Sequence, residues 1–223
     1  MNLTNDIILI DKPQDWTSND VVQKIKKSCG YKKVGHAGTL DPMATGLLVI
    51  GINDATKKLN NFLHQDKQYI TTIIFGKQTL TGDCTSKITH ITSCMINLKQ
   101  IEQVMRWFMS NDYYQIPHKF SAIKINGKKA YEYARQNITI KLPSRLVKIN
   151  AYKIINFDFK KQELIIQIIV SKGFYVRSFA QDLAKKLHTY GHITSLRRLM
   201  VGNLSINNAI TLEKYLQTYG KNK

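Results

Sequence analysis

Apolar residues along this chain recur at two spacings, and the switches between them mark out the elements. Ile7–Ile10 is a short continuous apolar run stopped by Asp11-Lys12-Pro13, which reads as a buried strand ended by a turn. Thr17 and Ser18 then cap a helix to about Ser28, with Val21, Val22 and Ile25 on its apolar side. Gly35 to Gly46 reads as a loop and Leu47–Ile52 as a second buried strand. Asp54 predicts a capped helix to about Leu63, and Gln68–Phe75 alternates around β-branched residues as a strand does. A helix is expected over Leu98–Met109. Phe120–Ile125 reads as a strand entering the tight Asn126-Gly127 turn, with helix over Lys128–Arg135. Arg145–Phe159 and Glu163–Lys172, joined by Lys160-Lys161-Gln162, give the strongest hairpin signal. Arg177–Leu187 has helical spacing, Ile193–Val201 reads as a strand and Leu212–Tyr219 as a last helix. Strands and helices alternate without a strict βαβ repeat. That pattern predicts an α+β fold around a mixed sheet, in one body without linkers or repeats.

Composition narrows the class. The 223 residues are 43% hydrophobic and 22% charged, enough apolar material for a packed core. The longest obvious apolar run, Leu47–Ile52, is far short of the roughly 18 residues of a membrane span. The N-terminal stretch to Pro13 has no basic segment before its apolar run and does not read as a secretory signal. Three scattered cysteines, Cys29, Cys84 and Cys94, argue for a reducing compartment, so the cytoplasm is expected.

Charge changes the picture more. Lys and Arg number 33 against 15 Asp and Glu, a formal net charge of +18, which asks for a polyanionic partner. Nucleic acid is the common answer, because neutralised phosphates release counterions. The basic residues are densest from Lys119 to Lys153, interleaved with Tyr131 and Tyr133, which suits contacts to bases or ribose. A general enrichment in lysine is the bland alternative.

Nucleotide and metal motifs are missing from the sequence. There is neither a G-x-x-x-x-G-K-[ST] loop nor a G-x-G-x-x-G after a strand. His188 and His192 stand four apart, but Gly191 interrupts them and no Cys-x-x-Cys pair exists. Neither a metal nor a cofactor is implied. The informative stretch is Gly35-His36-Ala37-Gly38-Thr39-Leu40-Asp41-Pro42-Met43-Ala44-Thr45-Gly46. Its three glycines let backbone approach a ligand closely, and Pro42 biases Asp41 toward extended geometry on a stiff turn. On physical grounds alone, an ordinary Asp-Pro turn is the commoner origin of such a stretch.

That stretch is similar to the catalytic motif of the TruB family of tRNA pseudouridine synthases, G-H-[TA]-G-x-L-D-P-x-A-[TS]-G. Lys67-Gln68-Tyr69 resembles the family's K-x-Y motif, and Gln115 to Lys124 its Q-x-P-P-x-[YF]-S-A-x-K segment. Ser171-Lys172-Gly173-Phe174-Tyr175-Val176-Arg177 resembles S-K-G-T-Y-[IV]-R, and Leu196-Arg197-Arg198-Leu199 its closing L-R-R-[LT] strand. The likeness runs from about Ile8 to Val201. His118 departs from it, standing where the family has a second proline, and the sequence ends at Lys223, where bacterial members commonly continue into a PUA-type module.

The resemblance implies the pseudouridine-synthase fold, with a bent, mixed, largely antiparallel sheet and a basic central cleft. It implies a single catalytic domain over residues 1–223, without the C-terminal PUA-type module. The expected reaction isomerises a uridine in the TΨC loop of tRNA, after the base is flipped out, without cofactor or metal. Asp41 is then the essential aspartate and Arg177 the arginine paired with it. Tyr69 is the tyrosine that stacks on the target base, and His36 supports the disturbed RNA loop. Tyr175 and Leu196 line the nucleotide pocket. The partner is the TΨC stem-loop of tRNA, no membrane is involved, and a monomer is expected. The rival from another class is a noncatalytic RNA-binding or RNA-folding protein on the same scaffold.

Overall fold

Alternate side chains of Ile7–Lys12 (β1) turn inward, and they include Ile8, Ile10 and the ammonium-bearing Lys12. The computed structural model describes residues 6–136 and 138–220, so the first five residues of the N-terminal stretch lie outside it. Helix α1 (Ser18–Cys29) opens on a reciprocal cap. Thr17 Oγ1 accepts from the Asp20 amide at 3.0 Å, and Asp20 Oδ2 accepts from the Thr17 amide at 2.9 Å. Strands β2 (Val34–Ala37) and β3 (Thr45–Ile52) follow, so Gly35, His36 and Ala37 are strand residues where a loop is expected. The loop proper runs from Gly38 to Ala44. The segment predicted as a helix from Asp54 is a 3-10 turn, Asn53–Lys58, leading into the short α2 (Leu59–Leu63). Its cap position falls on Ile52, which has no side-chain acceptor, and Asp54 pairs with Lys57 at 3.2 Å.

Strand β4 (Lys67–Phe75) precedes the small ladder of β5 (Lys77–Thr79) and β6 (Ile88–Ile91), then α3 (Leu98–Ser110) and β7 (Tyr113–Gln115). Only Lys124–Ile125 (β8) and Lys128–Lys129 (β9) pair around the Asn-Gly turn, with Asn126 and Gly127 both at positive φ. Helix α4 (Ala130–Arg135) starts there, and Lys129 and Arg135 both lie over the Tyr131 ring. The long hairpin is β11 (Ile149–Asp158) with β12 (Glu163–Val170). Arg145–Val147 (β10) separates from it and pairs with β7. Helix α5 (Val176–Lys186), β13 (Gly191–Val201), β14 (Leu204–Ser205), β15 (Ile210–Thr211) and α6 (Leu212–Tyr219) complete the chain.

These elements make two compact units, one of residues up to Tyr69 with those from Leu196 onward, the other of Ile70–Ser195. In the first, β3 is central. It pairs antiparallel with β1 and β2, and parallel with β13 at Arg197–Arg198, while β15 runs parallel on β1. One core forms where α1 and α6 cover Ile8, Ile10, Leu48 and Ile50, and a second gathers Ala37, Leu47, Val49, Leu59 and Val201. In the second unit, β12 lies between β11 and β4. Phe108 of α3 packs edge-on against Phe179 of α5 at 5.5 Å. The chain has the mixed α+β content that the sequence predicts, with parallel and antiparallel strand pairs.

Candidate active site

Asp41 sits half-buried on the Gly38–Ala44 loop of the first unit, and the loop is held almost entirely by its main chain. Lys12, fully buried, donates from Nζ to the carbonyls of Pro42 at 3.1 Å, Trp16 at 2.6 Å and Pro13 at 2.8 Å. Ser18 Oγ accepts from the Leu40 amide at 2.9 Å, and the Asp15 amide donates to Pro42 O at 2.9 Å. Arg198, 1% exposed, donates from Nε to Leu47 O at 2.7 Å and from Nη2 to Gly38 O at 3.0 Å. Inside the loop the Ala44 amide bonds Asp41 O at 3.0 Å. Gly38 and Gly46 both have positive φ, and a Cβ on Gly46 would collide with the backbone of Arg198. Burial pulls the Lys12 ammonium down to about 8. The carboxylates of Asp15, Asp41 and Asp20 oppose that shift, and Arg198 adds to it. Asp41 thus lies within electrostatic reach of a buried cation.

His36 faces the same neighbourhood from β2. Burial first, and then the Arg198 guanidinium, hold its imidazole below the ordinary histidine range, so it is neutral near pH 7. Its buried Nδ1 has no hydrogen-bond partner among the described residues. Tyr69, 9% exposed, stands at the start of β4. Lys67 anchors that start by donating to the carbonyls of Phe62, Leu63 and Gln65 at the end of α2. Leu196 on β13 is buried.

The second unit carries Tyr175 and Arg177. Arg177 follows the first residue of α5, where a surface charge would be ordinary, yet its side chain is 6% exposed. The guanidinium donates to Thr81 O at 2.9 Å and to Phe120 O at 3.0 Å, and it faces Asp83 Oδ2 at 3.6 Å. Asp83 Oδ1 in turn accepts from the hydroxyls of Thr81 and Thr85 and from the Thr85 amide, at 2.6–3.0 Å. A buried ion pair with its remaining lone pairs satisfied is rigid, so the arginine is pre-positioned. Tyr175 is fixed through its backbone. Gln115, 1% exposed, accepts from its amide at 2.7 Å and donates to its carbonyl at 3.0 Å.

The first unit therefore gathers His36 and Asp41, with Tyr69 and Leu196 on its strands, and the second holds Tyr175 and Arg177. Lys12, Ser18, Arg198 and Asp83 are structural participants that the sequence reading passed over. Arg198 had a signal, since it falls inside the closing-strand motif. Asp83 had none, because a Gly-Asp pair between threonines reads as an ordinary turn. Among the described residues no group of three or more His, Cys, Asp or Glu side chains could hold a metal ion.

The α+β fold matches those of solved chains. A Cbf5-Nop10-Gar1 complex contains a chain 25% identical to this one, with a TM-score of 0.74. An H/ACA RNP bound to a substrate RNA containing 2'-deoxyuridine contains one 23% identical, with a TM-score of 0.71. Each match covers 96% of this chain, which spans about half of either solved chain (54% and 53%). The family model gives the class, pseudouridylate synthase. The family model described as "TruB family pseudouridylate synthase (N terminal domain)" matches residues 26–176, and the chain belongs to that family. The protein called tRNA pseudouridine synthase B in Ureaplasma parvum is 49% identical over 95% of this chain and 93% of its own length. Those of Malacoplasma penetrans and Psychrobacter arcticus are 44% and 43% identical, covering 90% and 55% of their own lengths.

Proposed function

We propose that this chain isomerises a uridine in the TΨC loop of tRNA to pseudouridine, using the Asp41 carboxylate and no cofactor. The observation that carries the reading is the clamping of the Asp41 loop by Lys12, Ser18 and Arg198. These anchors spend buried side chains on holding one carboxylate in place. Relatives about half identical to this chain bear the name of that activity over nearly their whole length, which supports tRNA as the substrate.

In this reading the N-glycosidic bond breaks, the uracil turns, and its ring carbon bonds to the ribose. The change is redox-neutral: the hydrogen displaced from the ring carbon leaves as a proton, and the ring nitrogen freed from the ribose takes one up. The carboxylate of Asp41 either attacks the reacting nucleotide or removes a ribose proton. Tyr69 stacks on the base, His36 supports the RNA where the base has left, and Tyr175 and Leu196 line the nucleotide pocket. Arg177 keeps the reacting aspartate ionised and oriented. Extracting the base costs a few kcal/mol, which contacts to the flipped nucleotide must offset. Residues 1–223 act as a single catalytic domain, in the cytoplasm and as a monomer.

The test is to incubate purified protein with an unmodified tRNA transcript and map pseudouridine. Wild type is expected to place it in the TΨC loop without added cofactor. Asp41→Asn should bind the same tRNA and turn over at least about a thousandfold more slowly, a loss of roughly 4 kcal/mol. Tight binding without any pseudouridine from wild type would favour the noncatalytic RNA-binding reading. Asp41→Asn turnover within about tenfold of wild type would remove Asp41 from the chemistry.

A further inference from the structure

One buried imidazole, His118, has no part in the reading so far. It is 8% exposed, and it stands where the family motif has a proline. Its Nδ1 accepts from the Phe120 amide at 3.3 Å, and its ring stacks on the Phe120 ring, with centroids 5.9 Å apart and planes 24° apart. On the other side it packs on Gly82, where a Cβ would come within 3.3 Å of ring atoms Cδ2 and Nε2. Those two neighbours are informative. Phe120 supplies one carbonyl that holds Arg177, and Thr81, next to Gly82, supplies the other.

We propose that His118 is a positioning residue for Arg177, its ring clamping the Thr81-Gly82 turn to the His118–Phe120 segment so that the two carbonyls stay converged on the guanidinium. The proposal rests on Arg177 serving the isomerisation. A proline can fill the space but has no acceptor for the Phe120 amide. In this chain the clamp is a hydrogen bond plus a stack. Since Nδ1 accepts, the ring proton of the neutral form sits on Nε2, facing Gly82. The ring stays neutral because burial holds its pKa down to about 3, helped by Arg177 and Lys119 and opposed only by Asp83. A protonated ring would lose the acceptor and set a second cation beside Arg177.

The experiment compares single-turnover rate, tRNA dissociation constant and melting temperature. It uses wild type, His118→Ala, His118→Leu, His118→Asn, Arg177→Met and the double variant His118→Ala with Arg177→Met. Loss of the clamp should slow the single-turnover rate roughly 10–100-fold while affinity stays within about threefold, as expected when a reacting group is misplaced. His118→Asn, whose Oδ1 can accept in place of Nδ1, should recover most of the rate. On the Arg177→Met background, His118→Ala should cost less than about twofold more. A His118→Ala rate within about threefold of wild type would overturn the proposal. So would the full additional loss in the double variant, or an equal fall in rate and affinity. If His118→Ala does not fold, His118→Leu against His118→Asn decides. A slow leucine and a fast asparagine support the clamp, and equal rates overturn it. An unchanged rate in Arg177→Met would instead defeat the role given to the arginine, and the inference with it.

Discussion

At the residue scale, the most consequential side chain is one that touches no RNA in the proposed reaction. Lys12 brings an ammonium into the core of the first unit and satisfies it with three carbonyls, one of them Pro42 O beside Asp41. Burial is unfavourable to that charge, which is why its pKa falls to about 8, yet three carbonyls converge on it, of which Pro42 O also accepts from the Asp15 amide. Lys12→Met keeps the volume and removes the donor. It should cost about 2–4 kcal/mol of stability, through the loss of three hydrogen bonds from a charged donor, and it should slow single turnover more than it weakens tRNA binding. Urea unfolding and a rate–affinity comparison check both halves. An unchanged unfolding midpoint would mean that water replaces the ammonium. From sequence, Lys12 reads only as the middle of a turn. Its role needs the tertiary approach of Pro42, thirty residues on, which no local pattern encodes.

At the element scale, strand and helix types were legible wherever a period ran long enough. α1, α3, α5, β3, β4 and the β11–β12 hairpin lie where the pattern predicts them. The misses have separate causes. β2 is four residues, including a glycine and a histidine, too short to show alternation, and it exists because β3 offers it a free edge at Gly51 and Ile52. Phe120–Ile123 is apolar enough for a strand. Its carbonyls are taken by the α4 segment instead, Ser121 O by the Tyr131 amide and Ile123 O by the Ala130 amide. The candidate loop itself was legible as a motif, whereas its anchors were not. Gly46 shows how the elements set that loop. It crosses β13 in parallel register with Arg198, so closely that no side chain fits, and with φ at +103°. Gly46→Ala should therefore destabilise by about 1–3 kcal/mol and shift Arg198 off Gly38 O. Expected readouts are a lower melting temperature and a slower single turnover. A variant as stable and as fast as wild type would show that the strands part without cost.

At the scale of the whole molecule, two desolvated imidazoles, His36 and His118, tie stability to pH. Both have folded pKa values depressed below the ordinary 6.5, His118 to about 3. The unfolded chain therefore takes up protons first as pH falls. Their stabilisation is complete above about pH 7 and is lost progressively from pH 6.5 downward, with a slope for His118 that approaches about 1.4 kcal/mol per pH unit. Asp182, whose carboxyl is pushed up by burial, opposes the trend, because there the folded chain takes up the proton first. The net charge of +18 grows in the same direction and adds repulsion. Urea unfolding at pH 7.5, 6 and 5 should show falling stability, with a shallower decline in His118→Asn. Equal slopes in the two proteins would remove His118 from the acid response.

The anchoring of the Asp41 loop also has a consequence in time. One of its clamps, Arg198, is translated long after the loop, 160 residues beyond Gly38. A nascent chain carries its aspartate from early on, but the loop cannot be locked until β13 has left the ribosome and paired with β3. Locking of the loop thus waits on a strand far downstream and not on the loop's own synthesis.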